Sequence, residues 1–117
     1  MAYVSRDVDP NDAMFPVSDG EHPLNYCRLF KLTNASEKHI DECIVRVVSD
    51  DSGDGEMIVK FYLPNGDFIA DYPLSTLWSH ADDKFKLSAV NGSHVIDAND
   101  LCDILTDIEA NQLIKES

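Results

Sequence analysis

Met57-Ile58-Val59-Lys60-Phe61-Tyr62-Leu63 runs into Pro64-Asn65-Gly66-Asp67 and then into Phe68-Ile69-Ala70-Asp71-Tyr72. Two runs rich in β-branched and aromatic residues, separated by four turn-forming residues, specify a β-hairpin. Upstream, Cys43-Ile44-Val45-Arg46-Val47-Val48 is β-branched and mostly apolar, the composition of a central strand. Before that, Tyr26 to Leu32 alternates, with Tyr26, Arg28, Phe30 and Leu32 on one face and Cys27, Leu29 and Lys31 on the other. Asp50 to Gly55 is turn chemistry without an apolar residue.

Downstream, Pro73 to Ser79 reads as a short helix opening on a proline. Phe85 to Val90 and Ser93 to Ile96 form a second hairpin about Asn91-Gly92. The chain then enters an amphipathic helix. Asp97 or Asn99 caps it, and Leu101, Ile104, Leu105, Ile108 and Gln112 recur on one face. The expected fold is α+β: an antiparallel sheet of about six strands with this C-terminal helix packed on one face. Residues 1–24, with Pro10, Pro16 and Pro23 and no apolar period, read as an irregular N-terminal arm anchored by Tyr3, Phe15 or Val17. Residues 25–117 form the single domain.

Charge is the unusual quantity. In 117 residues, 9 Lys and Arg face 22 Asp and Glu, a net of −13. Residues 1–40 hold six acids and four bases, and residues 41–117 hold sixteen acids and five bases. A small domain needs a net charge of only about 2–8 for solubility, so the excess asks for a role. Negative charge of this size opposes nucleic acid and anionic membranes as direct partners.

Motifs of known chemistry are missing or incomplete. Asp50-Asp51-Ser52-Gly53-Asp54-Gly55 opens like an EF-hand loop, offering Asp50, Ser52, Asp54 and Glu56 as oxygen donors. The twelfth position, where a bidentate Glu belongs, is Phe61, and the flanks read as strands. The loop is therefore expected to be an acidic connection, with no metal. His39 and Cys43 stand four apart, but the strand beginning at Cys43 denies them a shared helical face and a catalytic pairing. His22, His80 and His94 lack zinc-ligand companions, and no phosphate-binding glycine loop or nucleophile elbow occurs. No cofactor and no enzymatic activity is expected. Cys27, Cys43 and Cys102, odd in number and widely spaced, suit reduced thiols in a cytoplasmic protein, or in the host cytoplasm if the gene is viral.

The acids themselves are the candidate site. Asp100, Asp103 and Asp107 fall within about 60° on the C-terminal helix, and Asp107 has no base four residues along. The hairpin acids Asp50, Asp51, Asp54 and Glu56 and the pair Asp82 and Asp83 extend the set. Fixed carboxylates compete with phosphates for Lys and Arg, so the expected partner is a basic protein, a nuclease or another nucleic-acid-binding enzyme. In size, acidity and lack of catalytic signature the chain resembles small inhibitors as a class: immunity proteins that neutralise nuclease toxins, and phage anti-CRISPR or anti-restriction DNA mimics. The competing expectation is a small ligand-binding or scaffold domain whose acidity serves only solubility.

Overall fold

The computed structural model describes residues 2–9, 11–17, 19–33, 40–50, 56–80, 85–89 and 92–111. Strands β1 (Tyr3–Asp7), β2 (Glu21–Lys31), β3 (Glu42–Asp50), β4 (Met57–Tyr62) and β5 (Phe68–Pro73) lie in chain order in one antiparallel five-stranded sheet. Helix α1 (Leu74–Leu77) and a 3-10 turn (Trp78–His80) follow. Among the described residues, strands β6 (Phe85–Ala89) and β7 (Gly92–Ile96) form a separate two-stranded sheet, and helix α2 (Ala98–Ala110) is the last element.

The α+β architecture with a C-terminal helix is as the sequence implies, but the sheet has five strands, not six. Pro73, which lacks an amide donor, ends β5 and leads directly into α1. The second hairpin forms its own ladder beyond that point. Its register pairs Ala89 with Gly92, so Gly92 belongs to β7 and not to the turn; Val90 and Asn91 lie outside the described residues. The fifth strand of the main sheet comes instead from the stretch read as an irregular arm. Residues 3–7 form β1 along β2, and residues 21–24 already belong to β2. A bulge between Val4 and Arg6 interrupts the pairing, which is why no alternation shows in the sequence. Pro23 is tolerated because β1 covers β2 only from Arg28 to Lys31, leaving its first half an edge.

Both faces of the sheet are covered, which explains the near-continuous apolar run of β3. Towards α2 point Tyr26, Phe30, Cys43, Val45, Val47, Val59 and Phe61, packed with Leu101, Ile104, Leu105 and Ile108. On the opposite face Cys27, Leu29, Ile44 and Tyr62 meet Val8 and Phe15 from the N-terminal segment. Phe15 sets its ring edge-on to Tyr62 at 5.4 Å, and the Tyr62 hydroxyl donates to the Pro16 carbonyl at 2.5 Å. Phe15, at 1% exposure, is thus the anchor, whereas Tyr3 is 58% exposed.

This second face also buries a cation. Lys60 donates from Nζ to Glu21 Oε1 at 2.9 Å and to Asp71 Oδ2 at 3.1 Å, and sits 5.1 Å from the Phe68 ring centre. The Asn65-Gly66 turn closes as expected. Leu63 O accepts from Gly66 N at 2.9 Å, and Asn65 Oδ1 accepts from Asp67 N at 3.0 Å. Gly66 has φ of +100°, and a Cβ there would stand 2.9 Å from the Met14 carbonyl oxygen. The turn needs glycine both for its conformation and for the close passage of the N-terminal segment.

Candidate functional site

Helix α2 begins where Asp97 caps it, its carboxylate accepting from Asn99 N at 2.9 Å. The three helix acids beyond the cap do not form a solvent-facing stripe. Asp100 is 1% exposed; it accepts from Thr33 N and Thr33 Oγ1, each at 2.9 Å. Asp103 Oδ2 accepts from Ala2 N at 3.0 Å. Asp107 Oδ2 accepts from the Tyr26 hydroxyl at 2.5 Å and from Arg28 Nη1 at 2.9 Å. The base that is missing four residues along the helix is supplied by β2. Arg28 also reaches Asp7 at 3.0 Å and, through Nη2, the Asn111 side-chain oxygen at 3.0 Å, placing positive charge at the helix C-terminus. These carboxylates fasten the helix to the β1–β2 side of the sheet.

The remaining sequence candidates divide. Asp51, Asp54, Asp82 and Asp83 lie outside the described residues, as do Ser52 and His39. Asp50 and Glu56 bracket the β3–β4 connection, Asp50 N donating to the Glu56 carbonyl at 2.9 Å. The flanks are strands, so the helices of an EF-hand are replaced by a hairpin. Among the described residues no group of three His, Cys, Asp or Glu side chains is placed to hold a metal ion. Cys43 is fully buried, and burial pushes its thiol far above the usual range; Cys27 is pushed up to about 11, chiefly by burial, with Arg46 opposing. Burial thus favours the neutral thiol over the nucleophilic thiolate at both positions.

Glu56 opens a different site. Met57 follows it into β4, Leu74 and Ser75 start α1, Trp78 begins the 3-10 turn, and Glu109 comes from the last turn of α2. Together they line a groove of about 370 Å³. Its apolar surface is Met57, Leu74 and the Trp78 ring, which is 40% exposed. Its rim is anionic at both ends. Glu109 Oε2 accepts from Trp78 Nε1 at 2.9 Å, and Glu56 Oε2 accepts from Ser75 Oγ at 3.0 Å. Among the described residues each carboxylate accepts one side-chain hydrogen bond, and a carboxylate has acceptor capacity for more than one donor. An apolar channel between two positioned carboxylates suits a Lys or Arg side chain, with the stem on the ring and the cation at the rim. Of these residues the sequence reading had only Glu56. Trp78 and Glu109 stand 31 positions apart and are joined by tertiary packing alone; the usable signal was the single tryptophan of an acidic chain.

Comparison with protein-family models, with curated proteins and with solved structures gave no match to this chain. Among the described residues no helix is long and apolar enough to cross a membrane.

Proposed function

We propose that this protein is a non-catalytic acidic inhibitor that acts in the cytoplasm by docking on a basic surface of a nucleic-acid-processing enzyme. The observation that carries the reading is the groove of Met57, Leu74 and Trp78 between Glu56 and Glu109, on a chain of net charge −13. Long-range attraction steers a basic partner in, and a desolvated aromatic contact flanked by carboxylates holds it. An immunity-type inhibitor is favoured over a mimic of DNA. Asp100, Asp103 and Asp107 are engaged by Thr33, Ala2, Tyr26 and Arg28, so α2 does not display a row of free charges in imitation of phosphates.

The test is inhibition and surface-binding kinetics with a basic nuclease domain encoded beside this gene. Wild-type protein is expected to suppress cleavage, with an association rate that falls steeply with salt. Trp78→Ala should weaken binding roughly 30-fold, the scale of a central aromatic anchor. Glu56→Gln with Glu109→Gln should slow association and flatten its salt dependence. Full inhibition by the Trp78→Ala protein, with unchanged kinetics, would overturn the assignment of this groove.

A further inference from the structure

On the sheet face away from α2, one row runs from Cys27 on β2 through Arg46 on β3 and Lys60 on β4 to Asp71 on β5. Its two cations are treated differently. Lys60 has Glu21 and Asp71 at its ammonium. Arg46 is 3% exposed, and among the described residues no carboxylate lies in ion-pair contact with it and nothing accepts a hydrogen bond from its Nε. A nearly buried guanidinium whose Nε finds no acceptor among the described residues is costly to hold, and such a group points to a ligand.

Arg46 lines an open pocket of about 210 Å³ beside the N-terminal segment, with Phe15, Pro16, Val17 and Pro23 as its apolar lining and Asp12 at one side. Asp12 is turned to its own loop, where Oδ1 accepts from Met14 N at 3.0 Å. We propose that this pocket binds a small organic monocarboxylate, its carboxylate on the Arg46 guanidinium and its apolar body against Phe15, Pro16, Val17 and Pro23. The planar fork of arginine matches two carboxylate oxygens in parallel. The volume is below the roughly 300–1,000 Å³ of sites that take drug-sized molecules, which limits the ligand to a compact acid. A single charge is selected because Asp12 in the wall and the −13 net charge repel a second one. The site lies on the opposite face of the sheet from α2 and is independent of the groove at Trp78.

Benzoate is the probe, with benzamide as its neutral isostere and inorganic phosphate as the competing anion, each titrated into the full chain. Benzoate should raise the melting temperature saturably and shift the NMR signals of Phe15, Val17 and Arg46, while benzamide and phosphate do neither. Arg46→Met, similar in volume and able to pack in an apolar site, should abolish the benzoate effect. The wild-type comparison of acid with amide decides the matter even if that variant folds poorly. Equal binding of benzoate and benzamide, phosphate binding at the same signals, or no saturable shift at roughly 10 mM benzoate would each overturn the proposal. So would a benzoate effect that persists in folded Arg46→Met.

Discussion

Tyr26 and Asp107 stand 81 positions apart, yet the Tyr26 hydroxyl donates to Asp107 Oδ2 at 2.5 Å, on the oxygen that also takes Arg28 Nη1. The phenol has 1% exposure and the Arg28 guanidinium lies 5.3 Å from its ring centre. Strand and helix are joined here by a charge-assisted hydrogen bond in a largely desolvated place, where such bonds are strongest.

Removing that hydroxyl is expected to cost stability without disturbing the apolar packing. Tyr26→Phe should lower unfolding free energy by about 1–2 kcal/mol, measured by urea denaturation. Asp107→Asn should cost more, because it also removes the ion pair with Arg28. In a double-mutant cycle the two changes should be clearly non-additive.

Alkaline pH is the condition that should unfold this protein. Burial, first, and then Asp107 push the Tyr26 phenol far upward; burial also raises Tyr62 and Cys43, and takes Cys27 from 9.0 to about 11. All four are acids whose neutral form the fold favours, so the folded state binds more protons than the unfolded one above their ordinary values. Their contribution is complete below about pH 9 and is lost as pH rises through the range of the shifted groups. Melting temperature should therefore fall steadily above pH 9, and the ultraviolet signature of Tyr26 and Tyr62 ionisation should appear only with unfolding.

Gly66→Ala tests the seat of the N-terminal segment. The new Cβ meets Met14 backbone and side chain at 2.9 and 2.7 Å, on a backbone with φ of +100°. A loss of about 1–3 kcal/mol is expected, with chemical-shift changes at Met14 and Phe15. Gly20→Ala, where nothing lies within 4 Å, shares the positive φ without the contact and should cost less.

Lys60→Met should be strongly destabilising, by about 3–5 kcal/mol, because it removes a buried cation that two carboxylates are positioned to meet. Adding Glu21→Gln should recover part of that loss in thermal denaturation, since Glu21 is the more buried of the two partners, at 11% side-chain exposure against 42%.

What the sequence made legible was what depends on neighbours in the chain. Phe61 and Val59 alternate with Lys60 and Tyr62 across one strand, Asn65-Gly66 turns between β4 and β5, and Leu101, Ile104, Leu105 and Ile108 share one helix face. The partners of Asp100, Asp103 and Asp107 were not legible, for the opposite reason. Helical geometry put them on one side, but the groups that engage them come from Ala2, Tyr26, Arg28 and Thr33, and no local rule announces such partners. β1 stayed hidden because four of its five residues are exposed and its ladder is bulged. Nothing in the chain beside Arg46 and Lys60 announced that their face of the sheet is roofed by Val8 and Phe15.

The carboxylate fastenings of α2 also dictate an order of assembly. Strands β2, β3 and β4 pair with their immediate neighbours in the chain and can zip through local closures. The helix finds Thr33, Tyr26 and Ala2 across 67, 81 and 101 positions, and Ala2 leads into β1, which must itself be laid along β2. Until that surface exists, α2 has only its own short span to hold it, and 13 residues are marginal for an isolated helix. The meander is thus the template and the helix the last piece to arrive. In unfolding it should be the first to leave, with α2 amides exchanging well before those of β3.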